Sequence, residues 1–166
     1  MPVFRIFMVI ALALTLSGCA SKFKTYNGPE VTQVLVKKGE RRMYLLHGSE
    51  VLKSYRIDLG FEPQGHKAVE GDGKTPEGLY FINRRNANSR FHLSLGISYP
   101  NPQDSALAAE LGKSAGGDIF IHGGPPKGSG YKRFTDWTWG CIAVSDAQIE
   151  DIYAMVKNGT PILIRP

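Results

Sequence analysis

Between Val31 and Gly60 the chain alternates short β-branched or aromatic runs with turn residues. VTQVLVKKG, RRMYLLHG and SEVLKSYRIDLG each read as a strand, and the Gly48–Ser49 turn between the last two predicts a hairpin meander. GLYFINRR, FHLSLGI and DIFIHGG continue in the same style, and TPILIRP closes the chain. Two helices interrupt the β pattern. One is expected around Asp104 to Leu111. The other is opened by Ser145, with Gln148 three residues on completing a capping box. It runs through DAQIEDIYAMVKN to a stop at Gly159, and Ile149, Ile152, Tyr153 and Val156 share one face, so it should lie against the sheet. The expected fold is mainly β, with a short helix and a longer one packed on the sheet.

The first twenty residues follow a different pattern. MPVFRIFMVIALALTLSGCA carries one positive side chain, Arg5, and then about a dozen apolar residues ending in small ones, the layout of a signal peptide. A membrane-spanning helix needs about 20 apolar residues, so the stretch reads as a leader rather than an anchor. Its last residues, LSGC, resemble the lipobox of bacterial lipoproteins, in which the cysteine, here Cys19, becomes the first residue of the mature chain and carries lipid. That resemblance implies residues 1–18 as a lipoprotein signal peptide, 19–29 as a lipidated, turn-rich tether and 30–166 as the folded domain. Ala20 after the cysteine implies passage to the outer membrane, with the domain in the periplasm.

Charge narrows the partners. Twenty Lys and Arg against fifteen acids give +5, and Arg5 is the only charge in the leader. This modest excess suits an anionic envelope polymer or a lipid surface. The basic residues are scattered, with pairs at 37–38, 41–42 and 84–85, and form no long cluster, so nucleic acid is not expected. Residues 19–166 suffice for one domain with a real core, expected to be a monomer. With Cys19 lipidated, Cys141 is the only thiol in an oxidising compartment. A free cysteine is often a buried small hydrophobe, but an odd one in an exported chain points to chemistry.

The chemistry concentrates in GDIFIHGGPPKGSGYKRFTDWTWGCIAVS, residues 117–145. His122 ends an apolar strand directly before Gly-Gly-Pro-Pro, where a rigid sheet can present a side chain to a cleft. A cysteine near its usual pKa of about 8.5 is mostly protonated at neutral pH, and a neighbouring imidazole can take the proton and lower that pKa. Gly140 lets the backbone turn tightly, so that amides can face a developing oxyanion. A structural histidine tucked under the Gly-Gly turn would leave the same sequence. The four histidines, 47, 66, 92 and 122, contain no HxxH or HxxE-type pair, so no metal and no cofactor are expected. His66 and His92 either line the cleft or sit in strand turns.

IHGG, then TWGCIAVS and a helix, with GDGKTPEGLYFI upstream at 71–82, resembles the L,D-transpeptidase (YkuD) catalytic domain from about Val34 to Ile164. The DWTxGC wording is similar to a branch found in exported proteins and lipoproteins of Gram-negative bacteria. The resemblance implies a β-sandwich of mixed sheets with Cys141 as nucleophile, His122 as general base, Gly140 in the oxyanion turn and the Gly123 carbonyl orienting the base. Two positions depart from it: Trp139 stands where the family has histidine, and Ala143 where it has arginine. Trp139, Thr138, His66 and His92 are the candidates for substrate contact, and Asp136 and Thr138 can order the turn by side-chain-to-backbone bonds. The implied activity is acyl transfer on peptidoglycan stem peptides through a Cys141 thioester at the third residue, typically a diaminopimelate, in wall cross-linking or remodelling. Hydrolysis of the same thioester, for example releasing a wall-linked protein, is the alternative. A non-catalytic wall-binding lipoprotein is a third, opposed by the intact His122/Cys141 pair.

Overall fold

The computed structural model describes residues 21–166; the leader and the lipidation candidate Cys19 lie outside the described residues. In chain order the elements are β1 (Gln33–Lys37), β2 (Arg42–His47), β3 (Glu50–Arg56), β4 (Gly78–Asn86), β5 (Ser94–Ile97), α1 (Pro102–Glu110), β6 (Phe120–His122), β7 (Ile142–Ala143), α2 (Asp146–Met155) and β8 (Pro161–Arg165). β1, β2 and β3 form the expected antiparallel meander. Alternate residues Val34, Val36, Met43 and Leu45 are fully buried, so the period of two turns one face of this hairpin inward.

The strands join in the order β3-β2-β1-β8-β4-β5-β6-β7, with β1–β8 and β6–β7 parallel and the other pairs antiparallel. β4 serves both halves. Its first residues, Gly78–Phe81, pair with β8, and Ile82 onward pairs with β5 after a register shift between Ile82 and Arg84. Such an irregularity bends a strand and raises its twist. The expected mixed sandwich is therefore one continuous sheet curled on itself. Its two ends meet: beyond β3, Asp58 exchanges both backbone hydrogen bonds with Ala143 of β7, at 2.9 and 2.8 Å, and Gly60 bridges Thr138. This closure fixes the segment that carries Cys141.

Both helices form, with adjusted ends. α1 starts before Asp104 because Asn101 is the cap: its side chain accepts from the Asp104 amide, Asp104 returns the bond to the Asn101 amide, and Pro102 occupies the first turn. α2 has the predicted Ser145/Gln148 capping box, but it ends at Met155. Val156 is fully buried in an extended conformation, so Gly159 lies in the following turn and Met155, rather than half-buried Tyr153, joins Ile149 and Ile152 on the buried face. Burial of each such side chain contributes about 1.5–3 kcal/mol. Residues 21–29 run along the domain surface, where Lys24 pairs with Asp151 on α2 at 2.7 Å and Lys22 Nζ donates to the Ala87 and His92 carbonyls.

Candidate active site

β6 and β7 are parallel neighbours, with Ile121 opposite Ile142 and His122 opposite Ala143. Residues paired in this way point to the same side, and the side alternates along each strand. Continuing the register one residue back places Cys141 beside Phe120, on the face that carries His122. Two residues far apart in sequence are thus brought to one face and line the same two cavities, because the loop between them folds back into a parallel pair.

His122 is buried and firmly held. Its Nδ1 donates to the Gly123 carbonyl at 2.8 Å, since a carbonyl can only accept, and this fixes the tautomer with an unprotonated Nε2. Phe91 stacks on the ring at 4.2 Å between centroids, and Trp137 meets it edge-on at 5.6 Å. Burial in this aromatic setting pushes the imidazole down to about 4, against the opposing pull of the Gly123 bond. Cys141 is partly exposed, and its Sγ lies 3.6 Å from the Asp118 carbonyl. Desolvation pushes the thiol up to about 11. The lowered cysteine pKa expected from an imidazole neighbour is therefore not found, because both groups sit in apolar surroundings that penalise charge. The resting pair is a neutral thiol and a neutral imidazole, suited to general-base deprotonation during attack.

The turn before Cys141 is built by Thr138, which is 3% exposed. Its hydroxyl donates to the Cys141 carbonyl at 2.7 Å and accepts from the Gly140 amide at 3.2 Å. The Gly140 amide is thereby occupied, whereas among the described residues the Cys141 and Trp139 amides have no protein acceptor. Gly140 adopts φ +120°, and a Cβ there would lie 2.6 Å from the Lys74 carbonyl oxygen, so only glycine fits. Asp136 is gripped by Arg41 at 2.7 Å and accepts from the Leu59 amide at 3.0 Å, which ties the turn to the end of the meander. Thr138 and Asp136 order the turn as expected.

Among the described residues, three cavities border Cys141. One of about 310 Å³ is lined by Asn86, Arg90, Phe91, Asp118 and His122 among others, and one of about 320 Å³ by Arg90, Phe91, His122, Tyr131, Trp137 and Trp139. The third, about 430 Å³, lies between Lys67, Glu70, Gly116 and Trp139 and does not touch His122. Trp139 is 66% exposed at the rim, braced edge-on by Phe61 at 5.0 Å. His66 and His92 are placed elsewhere. His66 accepts from the Glu77 amide and faces Asp104 at 3.2 Å, and His92 pairs with Glu150 at 2.8 Å. Neither lines the three cavities.

Several residues at the site were not singled out by the sequence reading. Asp58 is fully buried; its Oδ2 faces Trp137 Nε1 and Arg133 Nε at 3.3 Å each, so it holds the ring that packs against His122. The signal was available as an acid between Ile57 and Leu59 in a strand-like run. Phe91 and Arg90 gave no comparable signal.

The buried imidazole makes stability depend on pH. The folded pKa, about 4, lies below the ordinary 6.5, so the unfolded chain binds the proton first. The contribution is fully present above pH 6.5 and is lost as pH falls through 4, about 3 kcal/mol in all. Denaturant titrations at several pH values should show this slope in the wild type and its absence in His122→Gln.

The sequence model of the L,D-transpeptidase catalytic domain (YkuD) matches residues 32–164, and the chain belongs to that family. It is similar to "Putative L,D-transpeptidase YafK" of Escherichia coli, 27% identical over 141 residues, covering 82% of this chain and 51% of that protein. Among solved structures it is similar to the helical cell shape determining protein Pgp2 of Campylobacter jejuni, with TM-score 0.62 and 26% identity over 89% of this chain and 53% of the other. Mycobacterium tuberculosis L,D-transpeptidase 1, 13% identical with TM-score 0.52 over 82% of this chain and 62% of that one, shares the fold. The chain spans about half the length of the curated relatives it matches.

Proposed function

We propose that this chain is a cysteine acyltransferase acting on peptidoglycan stem peptides in cross-linking or remodelling of the wall, through a thioester at Cys141. The observation that carries this reading is the placement of His122 and Cys141 on one face of a parallel strand pair, with His122 Nδ1 committed to the Gly123 carbonyl and Nε2 left to accept a proton. In the first step Cys141 Sγ attacks the carbonyl of the third stem residue, the thiol proton passes to His122 Nε2 and then to the leaving amine, and the amide C–N bond breaks. In the second step an amine attacks the thioester, its proton returns through His122 to Sγ, and the thiol is regenerated. The free Cys141 amide is a candidate donor to the oxyanion.

The lipobox reading of Cys19 adds the place, the periplasmic face of the outer membrane of a Gram-negative bacterium. Cys19→Ala should release the protein from sedimenting membranes while leaving acylation on soluble muropeptides unchanged; sedimentation of an unlipidated chain would defeat the anchor. The similarity to Pgp2, named for helical cell shape, supports a role in shaping the wall.

Hydrolysis is the second reading, favoured by the residues around the nucleophile. Ala143 is buried and paired through its backbone to Asp58, and Trp139 is an exposed indole, so neither position supplies a base or a cation to an acceptor amine. Tetrapeptide muropeptides in oxygen-18 water, with and without added amine, separate the two. Amine-linked product is the expected result. Label in the third-residue carboxylate without amine-linked product at any acceptor concentration leaves the hydrolase, and no Cys141 adduct with any muropeptide leaves the wall-binding lipoprotein.

A further inference from the structure

Arg90 is a charged side chain that the reaction above leaves without a role. It lines both cavities that border His122, and in the aromatic-walled one it is the only side chain with a fixed charge among the lining residues. Arg41, Arg84 and Arg133 each hold a carboxylate, at 2.7, 2.8 and 3.3 Å. Among the described residues the Arg90 guanidinium has no ion pair or hydrogen bond.

The backbone that presents it is nevertheless fixed. Lys22 Nζ donates to the carbonyls of Ala87 and His92 at 2.6 and 3.3 Å, Ser89 Oγ accepts from the Phe91 amide at 3.1 Å, and the Gly123 amide donates to the Phe91 carbonyl at 3.0 Å. His92, at φ +71°, is tied to Glu150. Phe91, the next residue, stacks on the base itself. A guanidinium free to move on a braced loop loses little entropy elsewhere when it binds a ligand.

The proposed chemistry says which part of the substrate passes Arg90. His122 gives a proton to the leaving amine and takes one from the entering amine, so both amines must travel through the cavities that border His122. The third cavity touches Cys141 but not His122, which leaves it for the acyl portion. When the amine belongs to an α-amino acid, its carboxylate is on the same carbon and comes within the same cavities. A planar guanidinium matches a carboxylate bidentately, and apolar walls strengthen the pair.

We propose that Arg90 is a specificity-determining residue that binds the carboxylate of the amine-side amino acid, both the residue expelled in the first step and an amino-acid acceptor in the second. This rests on the acyl-transfer reading above. It supplies from the β4–β5 loop a cation that Ala143 cannot provide.

The test uses the full chain in detergent with two muropeptides, one ending in a free carboxylate and one in a carboxamide. The wild type should favour the carboxylate by about 10- to 100-fold in kcat/KM, the range for a hydrogen bond to a charged group. Arg90→Gln should lose that preference, its kcat/KM on the carboxylate falling to the level of the amide, and Arg90→Lys should keep part of it. Equal rates on both substrates in the wild type, or an equal loss on both in Arg90→Gln, would overturn the proposal. If neither muropeptide reacts, the acyl-transfer reading fails, and protection of Cys141 from iodoacetamide decides the subsite. Protection by D-alanine but not by D-alaninamide, abolished in Arg90→Gln, supports it; indistinguishable protection by the two, or none, refutes it.

Discussion

Replacing His122 with alanine is expected to slow acylation of Cys141 by about 10²- to 10⁴-fold at pH 7, the usual contribution of a positioned general base. The thiol is pushed up to about 11, so roughly one molecule in 10⁴ carries a thiolate at neutral pH and a preformed ion pair cannot substitute for the base. His122 must be unprotonated to act, and its pKa is pushed down to about 4. The acid limb of kcat/KM should therefore rise through about pH 4, well below the ordinary histidine range, with a plateau above it. In His122→Ala the remaining rate should climb about tenfold per pH unit toward 11, because thiolate formed by solvent becomes the nucleophile. An acid limb near 6.5, or a variant as fast as wild type at pH 7, would remove His122 from the proposed role.

Those values also show why part of the site was legible and part was not. His122, Cys141 and Gly140 were readable because a histidine before a Gly/Pro loop and a thiol after a glycine are local patterns, and Gly123 followed by resemblance. The meander and the α2 capping box were equally local, and both appear in the fold. What depends on contacts across the sheet was hidden. Burial of the His122 imidazole, which keeps it neutral, comes from Phe91 and Trp137 arriving from separate loops. The single curled sheet arises from the shift in β4 and from the Asp58–Ala143 bridge, which joins residues from opposite ends of the strand order. The two-residue β7 is too short to carry a period of its own. His66 and His92 were ambiguous for the same reason, since their partners Glu77, Asp104 and Glu150 are distant in sequence.

The junction between the two ends of the sheet makes the second strong prediction, the loss of the fold around Cys141 in Gly60→Ala. A Cβ built on Gly60 would lie 1.9 Å from the Gly73 carbonyl oxygen, 2.9 Å from its carbon and 3.1 Å from the Gly140 Cα. All three are backbone atoms, so no side-chain rotation relieves the clash, and a close-packed interior transmits the displacement. The Gly60 amide also donates to Thr75 Oγ1 at 3.1 Å, and the next amide, Phe61, donates to the Thr138 carbonyl at 2.9 Å. Moving this strand outward breaks those bonds and shifts the turn that Thr138 and Gly140 build under Cys141. We expect a loss of more than about 4 kcal/mol, the range reserved for a named defect of this kind. Gly39→Ala is the control, since a Cβ there would meet Pro166 only at 3.8 Å, an ordinary contact. Denaturant midpoints for the two variants should differ sharply, with Gly39→Ala close to wild type. If Gly60→Ala unfolds at the same denaturant concentration as Gly39→Ala and still forms the Cys141 adduct, the two ends of the sheet are not packed as tightly as these distances require.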